Sequence, residues 1–419
     1  MMGGLNIAIA GCGPAGLVAA LMLHRDGHRV TLFERFEAPR PIGSGLMIQP
    51  TGLAVLRMLD LDKPLLAIAS RIERLLGQSG ASGRTVLDVR YSALGRRAGF
   101  GLGVHRAALF GILYDAVVAE GIAIETGRTI LGTSELAYGR RLLQFDKGRK
   151  AGPFDLIVDA LGTRTPLAPA TGRDLAYGAL WASLDWLVDA GFDPAALEQR
   201  YRAASVMAGV LPIGRSHNGD KLQTAFFWSL RADALEQWRE RGLDRWKEDV
   251  ETLWPSTRPY LDQIVDADQL TFARYAHRSL SRPAEPGLIH IGDAWHSASP
   301  QLGQGANMAL LDAYALSLAL RKHGDVADAL TEAVRLRRWH VQLYQVMSAL
   351  FTPVYQSDSR LLPLVRDRLV GPISTLWPAT WIQAAMVSGL IGNPLKQFGL
   401  VPITQMLASA PYLSEEAAG

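Results

Sequence analysis

Gly11, Gly13 and Gly16 stand as G-x-G-x-x-G between an apolar run, LNIAIA, and a helical run, LVAALMLHRDG. In such a turn the first glycine allows a tight reversal, the second lets backbone approach a pyrophosphate, and the third lets helix and strand pack closely. The N–H groups and partial positive charge of the helix start then suit phosphate. Ala15 lies inside the turn, and Glu34 ends the next apolar run, HRVTLFE, with Arg35 beside it. A carboxylate at that spacing accepts hydrogen bonds from a ribose. A lone glycine motif can serve packing alone, but strand, helix and terminal acid in register point to a dinucleotide, NAD or FAD.

Two later apolar runs end in the same way. GLIHIGDAWHSASPQLGQGANMALLDA puts Gly292 and Asp293 after a strand, and Pro300, Gly303, Gly305, Ala306 and Asn307 at the start of another helix. With the first motif, this segment resembles the class A flavoprotein monooxygenases, the para-hydroxybenzoate hydroxylase-like family, over roughly residues 5 to 340. The resemblance implies FAD as the dinucleotide, with Asp293 on the ribityl chain and Pro300 to Asn307 near the isoalloxazine. It also draws in Arg40 in the Pro/Gly loop, Arg106 at the start of the helix in GVHRAAL as a contact to FAD, and backbone at Ile130, at the end of the strand after Arg128, near adenine.

The other run, DLIVDALGTRT, departs from the family pattern. Members carry Asp-Gly with a Ser three residues beyond that Gly, in a segment serving both FAD and NAD(P)H. Aligned on Gly162, this chain has Leu161 for the Asp and Thr165 for the Ser. Leucine neither accepts a hydrogen bond nor carries charge, so one polar contact is missing or comes from Asp159 at another angle. The expectation is that FAD binding survives and that any cost falls on nicotinamide use.

By resemblance, NAD(P)H reduces FAD, O₂ adds to give a flavin hydroperoxide, and one oxygen atom passes to a small, hydrophobic, electron-rich substrate, often aromatic, in a hydroxylation or epoxidation. Two alternatives stand beside it. One is a flavoprotein of the same fold with oxidase, reductase or halogenase-like chemistry, although the halogenase signature W-x-W-x-I-P is absent. The other is a protein that holds FAD or a ligand without turnover. His217, His277 and His296 are candidate proton groups because histidine titrates near neutrality. His296, just beyond Asp293, is the preferred one, and a hydrogen-bonded structural histidine is the ordinary alternative. No metal-ligand spacing stands out.

The elements that must position these residues are legible as patterns. LNIAIA, continuous in apolar residues, implies a strand buried on both faces and hence a parallel sheet. IERLLGQSGASGRTVLDVRYS reads as a hairpin, and YGALWASLDW, ASVMAGVLPIG, LQTAFFWSL and LTFARYAHRSL as long antiparallel strands. Their aromatics Trp181, Phe227, Trp228 and Tyr275 are candidates to line a substrate pocket. The expected class is α/β. A Rossmann-like FAD-binding domain with a parallel sheet (1–70, 101–175, 285–345) is interleaved with a mainly antiparallel substrate sheet (71–100, 176–284), and a helical section follows (346–419).

Composition agrees with a large globular core: 419 residues, 48% hydrophobic and 20% charged, with a net charge of +3. The mild charge and scattered basic residues argue against nucleic acid, and the densest cluster, RLRRWH at Arg335 to His340, reads as a solvated helix face. A single cysteine, Cys12, forbids an intrachain disulfide and points to a reducing, cytoplasmic setting. The apolar stretch WIQAAMVSGLIGNPLKQFGLV is broken by Gly392 and Pro394 before it spans a bilayer. It reads as amphipathic cover over the core, with a membrane-surface or partner contact as the lesser alternative.

Overall fold

Asn6–Ala10 is buried along almost its whole length, and the structure sets it inside a six-stranded sheet. In this computed structural model, which describes residues 4–38, 44–80, 82–97, 99–359, 361–370 and 376–401, it is flanked in parallel by Leu156–Asp159 and Arg29–Phe33. Leu288–His290 extends the parallel set on one side and Ala123–Glu125 on the other, while Ala284–Glu285 closes one edge antiparallel. The helices Pro14–Arg25 and Gly305–Lys322 meet over this sheet and share its core. Leu288–His290 pairs with a strand 131 residues earlier, Asp159 opposite His290, because a second sheet intervenes, so the first sheet is completed late in the chain.

That second sheet has seven strands in the order Thr271–His277, Arg173–Asp185, Leu222–Arg231, Val206–Arg215, Ala196–Arg202, Arg74–Ser79 and Thr85–Arg90. All neighbours are antiparallel except Ala196–Arg202 with Arg74–Ser79. Ala196–Arg202, ALEQRYR, carries too many charges to read as a strand; it pairs because its alternate positions Leu197, Gln199 and Tyr201 are buried. The expected class, α/β with an interrupted parallel sheet and an antiparallel one, is the one observed.

Strand alternation corrects one expectation. Phe227 and Trp228 are adjacent and therefore face opposite sides of the sheet. Phe227 joins Trp181, Leu211 and Ile213 on the side toward the nucleotide domain. Trp228 joins Phe226 and Trp246 on the far side, under the helices Leu235–Arg241 and Leu243–Leu253. Trp228 is therefore core and does not line the inner face.

Helix Val326–Tyr355 runs unbroken through position 346, so the C-terminal section starts after Tyr355. Within that helix RLRRWH is not one solvated face: Arg335 and Arg338 are exposed, but Arg337 and His340 point inward and are 1% and 3% exposed. Helical spacing of three residues puts them on the same side, against Gly305–Lys322. Downstream, helix Ala379–Val387 buries Ala384, Ala385 and Val387 against the hairpin side of the seven-stranded sheet, while Met386 joins the core of the nucleotide domain. No helix among the described residues is long and apolar enough to cross a membrane.

Candidate cofactor and substrate site

The glycine turn is built as its spacing implies. A side chain at Gly16 would put its Cβ 2.0 Å from the Gly11 carbonyl oxygen, so only glycine lets helix and strand approach this closely. Gly13 is different: a Cβ there would meet nothing within 4 Å among the described residues, which leaves an open cradle at the N-cap of the helix. Pro14 opens that helix at a position whose N–H would have no partner anyway. Gly11 backs onto Ala160 and Leu161, which brings the first and third strand ends together. Glu34 accepts from Cys12 N and Phe36 N, each at 3.1 Å, and so braces the turn against the second strand. Burial, with Glu34 second, pushes the Cys12 thiol up to about 12, which makes it inert. Ala15 is buried against the core, and Arg35 lies exposed over the Phe36 ring.

Ile130 opens a strand, Ile130–Glu135, where the end of one was expected, and its side chain is buried with Phe33 and Phe145. Arg40 lies outside the described residues.

The second strand end turns at Gly292, whose φ of +57° suits glycine, and exposes Asp293. Asp293 has no hydrogen bond or ion pair among the described residues, yet it is hemmed in enough that burial raises its carboxyl above the usual range. The charges of His296 and Arg106 partly oppose that rise. Accessible to solvent but closely surrounded, the carboxylate sits in a cleft. Arg106 is likewise exposed and has no ion pair among the described residues, and its charge also acts on Tyr275. Tyr275 Oη accepts from Trp181 Nε1 at 3.0 Å, and the Trp181 and Phe227 rings lie 4.7 Å apart. Arg106 thus lies near enough to the Asp293 carboxylate and to Tyr275 on the large sheet for its charge to act on both.

Around the next helix start, Pro300 opens a short turn and is exposed, Gly303 has a φ of +61°, Gly305 begins the helix, and Ala306 is half-buried. Asn307 departs from expectation. It is fully buried, its Oδ1 accepts from Gln49 N at 2.8 Å, and its Nδ2 donates to Met47 O and Gly303 O at 3.2 and 3.0 Å. With its capacity used on backbone, Asn307 shapes the cleft wall from behind.

The third strand end is closed by polar groups of its own. Asp159 is fully buried. Its Oδ1 accepts from Leu161 N at 3.0 Å, and its Oδ2 receives Thr165 Oγ1 at 2.7 Å and His290 Nδ1 at 2.6 Å. It therefore does not replace the carboxylate missing at Leu161. Leu161 packs half-buried against the cluster around Phe33 and Phe145, and Gly162 next to it is open, with nothing within 4 Å of a Cβ position. Arg278 latches the following loop through Thr163 O and Pro169 O at 2.7 and 3.0 Å.

Of the histidines, His296 turns its Nε2 to Asp312 Oδ2 at 2.6 Å and is buried, away from the cleft. His217 pairs with Asp115 at 2.7 Å, and His277 is half-buried near Arg173, its pKa lowered by burial and by that charge. Asp312, Arg337, Arg278 and Gln49 were not singled out from the sequence. Asp312 alone left a signal there, a single acid in the apolar helix ALLDAYAL. Burial would raise its carboxyl, but His296 and Arg337 hold it at about 2.

These features fit an elongated ligand with phosphates at one end. Among the described residues the Gly13 cradle is open beside a helix N-terminus, the Asp293 carboxylate and Arg106 have no hydrogen-bond or ion-pair partner, and Ser299 Oγ, in the segment after Asp293, is buried without a hydrogen bond. The family described as FAD binding domain matches residues 5–332. The chain is 29% identical over 316 residues to 3-amino-4-hydroxybenzoate 2-monooxygenase of Streptomyces cremeus, covering 74% of this chain and 76% of that one. It is 24% identical over 358 residues to 6-hydroxynicotinate 3-monooxygenase of Pseudomonas fluorescens, covering 80% and 88%. Its fold is similar to the crystal structure of Klebsiella pneumoniae HpxO complexed with FAD and uric acid, with a TM-score of 0.80, 19% identity and 93% and 98% coverage.

Proposed function

The chain belongs to the FAD binding domain family and is an FAD-dependent oxidoreductase of the monooxygenase type, and from that premise we propose that it transfers one oxygen atom of O₂ to a small aromatic or heteroaromatic substrate, with NAD(P)H as reductant. The observation that supports the substrate side is the aromatic set Tyr275, Trp181 and Phe227, joined by a 3.0 Å hydrogen bond and a 4.7 Å ring contact, with the Arg106 charge acting on both Tyr275 and Asp293. Relatives named for hydroxybenzoate and hydroxynicotinate derivatives support the substrate class.

We place the pyrophosphate of FAD at the Gly11–Gly16 turn, a ribose at Glu34, and the ribityl chain at Asp293, with Arg106 and the Pro300–Ala306 segment beside the ring. Bound FAD supplies the redox chemistry and the activation of O₂. The chain supplies position. Trp181 and Phe227 offer a flat apolar wall for a ring. Tyr275, whose phenol burial pushes up to about 12, stays protonated at neutral pH. Because its oxygen accepts from Trp181, its own O–H is free to donate to a hydroxyl or carbonyl on the substrate. His296, turned to Asp312, lies outside this proton path.

Anaerobic stopped-flow bleaching of the yellow protein by NADH or NADPH, with hydroxybenzoates and hydroxypyridines as substrates, tests the reading. Absence of flavin reduction by either nucleotide across the panel would sink it. Tyr275→Phe is expected to raise KM for a ring hydroxyl on the order of tenfold, with flavin content unchanged.

A further inference from the structure

Behind Asp293 a buried polar chain leads away from the cleft. Asp312 Oδ2 accepts from Gly292 N at 2.9 Å, so it holds the backbone from which Asp293 projects. Its Oδ1 accepts from Arg337 Nε at 2.7 Å. Arg337 next reaches His340 Nδ1 at 2.8 Å, and His340 Nε2 lies 3.3 Å from the carbonyl oxygen of Gly389. A guanidinium can only donate, so Nδ1 of His340 accepts, and Nε2 carries the proton that goes to Gly389. Every link from the cleft to the C-terminal section is thus directed and made.

Two more contacts run in parallel. Gln304, the residue before the helix start at Gly305, donates from Nε2 to Val387 O at 2.5 Å, and Tyr344 Oη donates to Met386 O at 2.8 Å. Gly389 has a φ of +77° and sits so close that a Cβ would lie 2.5 Å from Thr51 Oγ1. Residues 386–389 are therefore seated on the two helices, Gly305–Lys322 and Val326–Tyr355, that back the cleft.

We propose that Asp312, Arg337 and His340 are positioning residues that couple FAD binding at Gly292 and Asp293 to docking of the C-terminal segment 379–391. This rests on the placement of FAD made above. A buried charged chain is stable only with all of its partners in place, so loosening one end unbalances the other. Linkage then requires the effect to be mutual: FAD tightens the docked segment, and the docked segment tightens FAD.

Hydrogen exchange of 379–391 in the full chain, with and without FAD, together with FAD titration of the apoprotein, tests the coupling. Exchange in this segment is expected to slow on the order of tenfold when FAD binds. His340→Leu is expected to raise the FAD Kd on the order of tenfold and to remove the FAD-dependent protection. His340→Gln, whose amide can accept from Arg337 and donate to Gly389, is expected to keep both. A wild-type chain that binds FAD with equal exchange in both states, or a folded His340→Leu with wild-type Kd, overturns the coupling alone. A wild-type chain that takes up no FAD overturns the placement of the cofactor. Should His340→Leu not fold, the wild-type comparison still decides.

Discussion

Leu161 stands where the family resemblance leads one to expect an acid, and nothing nearby supplies one among the described residues. Asp159, two residues earlier, is spent on Leu161 N, Thr165 and His290, so no carboxylate faces outward at this strand end. Leu161→Asp would add one beside the open Gly162. Nicotinamide-driven flavin reduction is expected to quicken in that variant, and an unchanged stopped-flow rate would remove Leu161 from the account. Asp293 is the opposite case, an exposed carboxylate without a hydrogen-bond or ion-pair partner among the described residues. Asp293→Ala should weaken FAD on the order of tenfold or more, the loss of hydrogen bonds to a charged group. Flavin that stays with the variant through gel filtration would contradict this.

At the scale of elements, the strand–turn–helix at the N-terminus separates a packing glycine from a binding glycine. Gly16→Ala must push its Cβ against the Gly11 carbonyl and should destabilise the fold by about 1–3 kcal/mol, as overpacking does. Gly13→Ala meets no atom of the described residues within 4 Å and its extended backbone tolerates a side chain, so the apoprotein should melt as the wild type does while FAD affinity falls. Equal losses of melting temperature in both variants would show that the turn serves packing alone. The large sheet makes a similar division by alternation, with Phe227 inward and Trp228 under the outer helices.

For the whole molecule, the buried Asp312–Arg337–His340 chain makes stability depend on pH. Burial first, then Arg337, holds His340 well below its usual 6.5 in the folded state. The folded form therefore binds fewer protons, and this contribution is complete above about 6.5 and fades as pH falls. Asp312, held at about 2 against its usual 3.8, contributes above 3.8 and loses its share as pH drops toward 2. Melting temperature against pH should thus decline in two steps. His340→Gln is expected to flatten the upper one only, and a curve that overlays the wild type would refute the assignment.

What the sequence alone determined was local. The glycine turn, the apolar parallel strands and the long antiparallel strands were legible because strand period, helix period and turn chemistry act over a few residues. The family resemblance added FAD and the place of Asp293. What the tertiary structure decided was which polar groups meet: His290 with Asp159 across 131 residues, Asn307 with Gln49 across 258, Arg337 with Asp312 across 25. No spacing rule reaches that far. Trp228 and Arg337 turn to faces that spacing does not reveal, for one physical reason: a side chain's role depends on the face it turns to, and that face is chosen by the packing of distant elements.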